Sequence, residues 1–191
     1  SGWDWCSGYH VSDSITIGFS HLHLSGAGIG DLGDIRFMPI NKKVDLAQAF
    51  QTRDEIPFKS NYSHAQETAE PGYYSVFLND FNVKAELTSD LRTAYHKYTF
   101  DENDKQSLII DLSFAFNWDK AELSHLKIED KFTVSGFRHS SGWAANQKVF
   151  FVAKFSKSIK GFDLVSDEVY SNQASVTGLK TSAQLYFNHL S

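Results

Sequence analysis

The feature that most constrains this chain is a period-two alternation of apolar and polar side chains, repeated in short runs along its whole length. Over 107–116, Leu108, Ile110, Leu112, Phe114 and Phe116 fall on one side, and Asp111 and Ser113 fall on the other. Over 148–155, Val149, Phe151, Ala153 and Phe155 oppose Lys148 and Lys154. Val83, Ala85 and Leu87 alternate with Asn82, Lys84 and Glu86. Successive side chains of a strand point to opposite faces, so such runs predict half-buried strands rather than helices. Weaker runs at 14–24, 35–40, 73–78, 92–100, 132–137 and 184–190 carry the β-branched and aromatic content of the same state.

Turn signals separate the runs: Asn79-Asp80, Glu102-Asn103-Asp104, Glu129-Asp130, Gly161 and Pro71-Gly72. The Pro-Gly pair suits the two central positions of a type II turn. A short helix is expected only near 44–51. Many closely spaced strands predict an all-β, antiparallel β-sandwich, and 191 residues accommodate it as one domain, 1–191. No internal repeat or linker interrupts it. A composition 41% hydrophobic and 15% aromatic supplies the core and argues against disorder.

Charge narrows the partners. Eighteen basic residues against 23 acidic ones give −5, with no basic stripe for phosphates, so nucleic acid is disfavoured. No stretch has the length of a membrane-spanning helix. Cys6 stands alone, which excludes an intrachain disulfide and a multi-cysteine zinc site.

The densest chemistry is Trp3, Asp4, Trp5, Cys6, Tyr9 and His10, with His21 and His23 two apart on one strand face. Flat rings cover the apolar face of a pyranose while Asp, His and Tyr bond its hydroxyls. Each aromatic taken singly reads more readily as core than as a ligand contact, and only the cluster beside the glycine-rich segment brings the two readings level. His21 and His23 can ligate a metal, with Asp31 or Asp34 as a third ligand, but such a pair more commonly bonds loops, and no metal site is assigned. The glycine-rich segment 26–34 lacks the lysine and helix of a phosphate loop and reads as a close backbone approach. No Gly-x-Ser-x-Gly elbow supports a serine nucleophile. Asp4, Asp31, Asp34, Glu67 and Glu70 supply carboxylates, yet spacing alone sets no pair at glycosidase separation.

Trp3-Asp4-Trp5-Cys6-Ser7-Gly8-Tyr9-His10-Val11-Ser12-Asp13, then Gly18-Phe19-Ser20-His21-Leu22-His23-Leu24-Ser25-Gly26 and Gly30-Asp31-Leu32-Gly33-Asp34, resemble the N-terminal domain of glycoside hydrolase family 92. So do Ser63-His64, 67–76, Lys84-Ala85-Glu86-Leu87-Thr88, His96-Lys97-Tyr98-Thr99-Phe100, Gly136-Phe137-Arg138-His139-Ser140-Ser141-Gly142-Trp143-Ala144 and 150–156. Their order covers nearly the whole chain.

The resemblance implies a supersandwich of the galactose-mutarotase type, a fragment of a longer enzyme whose (α/α)6-barrel domain holds the general acid, general base and most calcium ligands. It implies an inverting, calcium-dependent exo-α-mannosidase, bacterial and extracytoplasmic (periplasmic or secreted), acting on mannose-containing glycans. On that basis no catalytic residue lies in this chain, and the isolated domain is expected to be inactive. Trp3 and Asp4 would contact the leaving-group sugar, followed by Cys6 and His10, then His21, His23 and Ser25. Trp5 replaces a residue that is often small in the family and Leu22 one that is usually Thr, so linkage preference does not carry over. A stand-alone carbohydrate-binding module and a purely structural sandwich are the competing readings.

Overall fold

The computed structural model describes residues 10–20, 22, 33–48, 55–102, 105–114, 119–142 and 144–188. Within them the fold is all-β. Strands β1 (Ile15–Thr16), β2 (Arg36–Ile40), β3 (Ser60–Asn61), β4 (Glu67–Glu70), β5 (Tyr73–Leu78), β6 (Val83–Ser89), β7 (Ala94–Phe100) and β8 (Ser107–Asp111) come first. They are followed by β9 (Lys120–Asp130), β10 (Thr133–Ser141), β11 (Gln147–Lys154), β12 (Gly161–Ser166), β13 (Val169–Ser171), β14 (Ser175–Gly178) and β15 (Thr181–Tyr186).

Every pairing between them is antiparallel. One sheet runs β4-β5-β6-β7, a second β13-β12-β15-β8-β2, a third β11-β10-β9-β14, and β1 pairs with β3. The five-stranded sheet is the middle layer, because its two faces feed different cores. Met38, Ile40, Ile109 and Val165 pack with Val76, Leu78, Phe81, Val83 and Ala85 of the β4–β7 side. Leu108, Ile110, Leu112, Leu164, Ala183 and Leu185 pack with Leu126, Val134 and Val176 of the third sheet.

Neighbouring residues of one strand therefore enter opposite cores, and all six residues of β15 are buried. The alternation predicted for 83–87 and 148–155 is met: Val83 and Ala85 are fully buried, while Phe150 and Val152 face outward beside Lys148 and Lys154. The 107–116 run departs from half-burial, because Asp111 opposite the apolar set is only 3% exposed. Among polar groups of this layer, Gln184 donates to Lys42 O (2.7 Å) and Ser107 Oγ (3.0 Å) and accepts from Val44 N (3.1 Å). Those bonds replace the water its amide loses on burial.

Two local expectations change. Residues 44–48 run as an irregular loop, and 49–51 lie outside the described residues. Their backbone donors go to Gln184 Oε1, Tyr170 Oη and Asp45 Oδ1 instead of helical carbonyls. Gly161 opens β12 opposite Tyr186 rather than forming a turn. The Pro71-Gly72 hairpin joins paired Glu70 and Tyr73, with Gly72 at φ +81°, as a type II turn requires.

Candidate functional site

Of the predicted sugar contacts, His10 lies within the described residues. Trp3, Asp4, Cys6, His21, His23 and Ser25 lie outside them, as does Asp31. What the structure describes is how the chain between and beyond these two groups is held. His10 O accepts from Asp13 N (2.9 Å), and its ring Nδ1 lies 2.7 Å from Ser12 Oγ. Ser14 O then accepts from Tyr62 N (2.9 Å), and Ile15 and Thr16 pair with Asn61 and Ser60. Phe19 and Phe37 exchange both backbone hydrogen bonds at 2.8 Å, which ties residue 19 to β2.

His64 secures the first of these contacts from the side. Its short 3-10 turn, His64–Gln66, is capped by Ser63, whose hydroxyl accepts from Ala65 N. The ring Nδ1 lies 2.5 Å from Glu67 Oε2, and Glu67 Oε1 accepts from Tyr74 Oη at 2.6 Å. The imidazole also hydrogen-bonds to the backbone at Val11 and Asp13. Glu67 is the main reason its pKa is raised, with these backbone groups adding to the effect. A protonated ring donates on both sides, joining β4 to the strap just beyond His10. Glu67 is thereby committed, and Glu70, three residues along the same strand, projects to the other face. The two do not form an acid–base pair.

The far end of the glycine-rich segment rests on a buried ion cluster. Arg138, fully buried, pairs with Asp34 through Nη1, reaches Asp119 Oδ2 at 2.7 Å, and donates from Nε to Leu112 O at 3.1 Å. Gln147 donates to the other oxygen of Asp34. One guanidinium thus serves two carboxylates. Burial raises the Asp34 pKa, Arg138 opposes the shift, and Asp119 adds to it.

The next residue, Ile35, has φ +60°. That conformation is a rare one for a β-branched side chain and costs about 1–3 kcal/mol. It persists because both flanks are fixed: Asp34 by Arg138, and Arg36 by its buried pair with Asp111. The Arg36 guanidinium also sits 4.3 Å from the Phe114 ring centroid and 5.1 Å from that of Phe58.

These anchors were only partly readable in the sequence. His64 fell inside a matched motif without a role, and Glu67 was weighed only as a candidate acid–base carboxylate. Arg138 had a signal, since β10 sends Val134, Gly136, Arg138 and Ser140 inward, and an arginine in that series has to be paired. Asp34, weighed as a metal ligand, is committed to Arg138 and Gln147. No group of three or more His, Cys, Asp or Glu is gathered for a metal among the described residues. The described residues therefore gather no carboxylate set for a calcium ion.

No curated protein sequence matches the chain. Solved structures do. The family GH92 α-mannosidase BT3965 from Bacteroides thetaiotaomicron matches at 34% identity and TM-score 0.88, over 97% of this chain and 26% of its own. Its complex with mannoimidazole matches at 33% and 0.88, over 98% of this chain and 26% of its own. The family GH92 inverting mannosidase BT2199 from Bacteroides thetaiotaomicron VPI-5482 matches at 25% and 0.76, over 95% and 23%. The chain thus spans about a quarter of the length of these enzymes. The family model "Glycosyl hydrolase family 92 N-terminal domain" matches residues 1–191, and the chain belongs to that family.

Proposed function

We propose that this domain forms part of the substrate-binding wall of a longer, inverting, calcium-dependent exo-α-mannosidase. In this reading it holds Trp3, Asp4, Cys6, His10, His21, His23 and Ser25 against the leaving-group sugar of a mannose-containing glycan. The acid and base belong to further polypeptide, an (α/α)6-barrel domain that also supplies most of the calcium ligands. Inversion needs those two carboxyls on opposite faces of the sugar, roughly 6.5–9.5 Å apart, with room for a water between them. The enzyme works outside the cytoplasm. Support for the class comes from the family match and from relatives whose names state α-mannosidase, inverting mannosidase and a mannoimidazole complex.

The single observation that supports the wall role is the anchoring of residues that follow the first group of proposed contacts and flank the second. His64 grips residues 11–13, β2 grips residue 19, and the Arg138 cluster grips residue 34. Anchored flanks favour a fixed geometry, and orientation of a sugar contributes to rate only when geometry is tight. The test compares this chain with the longer polypeptide on an aryl α-mannoside. The chain alone is expected to be inactive and the longer protein active, with Trp3→Ala in the latter lowering kcat/KM at unchanged stability. Turnover by residues 1–191 alone would overturn the reading.

A further inference from the structure

A cleft lies at the edge of the middle sheet, between the loop at Lys43–Asp45 and the β12–β13 hairpin. Its volume is about 730 Å³, within the usual range for small-ligand sites. Strand β13 pairs only with Leu164–Ser166 of β12, so Phe162 and Asp163 stand on uncovered edge. The Tyr170 ring, 44% exposed, lines the opening on the face of Asp163, whereas the Phe162 side chain falls on the opposite face of β12 with Leu164.

The polar groups are oriented in advance. Asp163 Oδ2 accepts from Tyr186 Oη (2.7 Å) and pairs with Lys43 Nζ (2.8 Å). Asp45 Oδ1 accepts from Tyr170 Oη (2.8 Å) and Ala47 N (3.0 Å). The second oxygen of each carboxylate, and the exposed amide of Asn172, have no hydrogen-bond partner among the described residues.

We propose that this cleft is a binding site for a neutral pyranoside, built from residues other than those proposed for the wall. Two carboxylates against one lysine disfavour an anion. Fixed acceptors beside an amide suit vicinal hydroxyls, while Tyr170 covers one C–H face of the ring. The inference rests on the mannosidase reading only for which sugar is tried first.

The experiment titrates the isotope-labelled chain with methyl α-D-mannopyranoside, up to tens of millimolar, and follows backbone amide shifts. Saturable shifts at Asp45, Phe162, Asp163, Tyr170 and Asn172 are expected. The Asn172→Ala variant, altered at an exposed position, should bind about tenfold more weakly, as the loss of a hydrogen bond to ligand predicts. Tyr170→Phe should weaken binding in the same direction by freeing Asp45. Shifts confined to the segments around Trp3 and Ser25 would overturn this site while leaving the wall intact. No shift in the cleft, or a response to calcium chloride but not to the sugar, would also overturn it.

Discussion

Arg138 concentrates more of this domain's electrostatics than any other described side chain. It is wholly buried, and it neutralises Asp34 and Asp119 at once while capping the Leu112 carbonyl. Breaking a buried pair from one side leaves uncompensated charge and costs about 3–5 kcal/mol. Arg138→Met should therefore lower the unfolding free energy by that amount in urea titration. Arg138→Lys should not restore it, because one ammonium cannot reproduce the fork that meets all three acceptors. His64 gives a second residue-level expectation, with a sign fixed by its raised pKa. Its stabilisation is complete below the ordinary value of 6.5 and is lost as pH rises through the higher folded value. Amide protection at Val11 to Ser14, with the intrinsic pH dependence of exchange divided out, should fall over that rise, and Glu67→Gln should weaken the dependence. Of the contact residues read from the sequence, His10 is the one this geometry reaches. The Arg36 and Arg138 anchors were hidden because Asp111 and Asp34 lie 75 and 104 positions away from them, and one chain's pattern carries no pairing of that range.

At the level of elements, legibility followed how cleanly each strand alternates. β6 and β11 were plain because each shows one wet and one dry face. β9 was not. Its Lys-Ala-Glu-Leu-Ser-His-Leu-Lys opening is rich in helix formers, and a register irregularity between His139 and Ser140 of β10 breaks its period. Pairing on both flanks, with β10 and β14, overrides that propensity. β10 shows a further constraint at Gly136. A Cβ there would lie 2.4 Å from His125 O and 2.7 Å from the Phe151 ring. Gly136→Ala should cost about 1–3 kcal/mol through overpacking, read as a lower melting temperature. A change within a few tenths of a kcal/mol would mean that the strands separate more easily than their packing implies.

For the molecule as a whole, the doubly buried middle sheet makes the two cores one cooperative unit. Ile109 serves one core and Leu164 the other, from strands of the same sheet. Ile109→Ala and Leu164→Ala should each cost about 2–5 kcal/mol. Both should shift a single transition that coincides by near- and far-ultraviolet circular dichroism, whereas two separated transitions would show the layers melting independently. The three-layer stacking was hidden from the sequence for the same reason. In β8 the alternation with Asp111 read as a half-buried strand although every residue of the strand is buried, and β15 is buried along its whole length, so alternation alone did not report the second covered face. The position of β15 also bears on biosynthesis. It inserts between β12 and β8, which share no hydrogen bonds with each other. Until Thr181–Tyr186 has left the ribosome, a nascent chain holds this layer as two half-sheets with raw edges. Assembly of the domain during translation must therefore wait for one of its latest segments, and the earlier strands depend meanwhile on protection from mispairing.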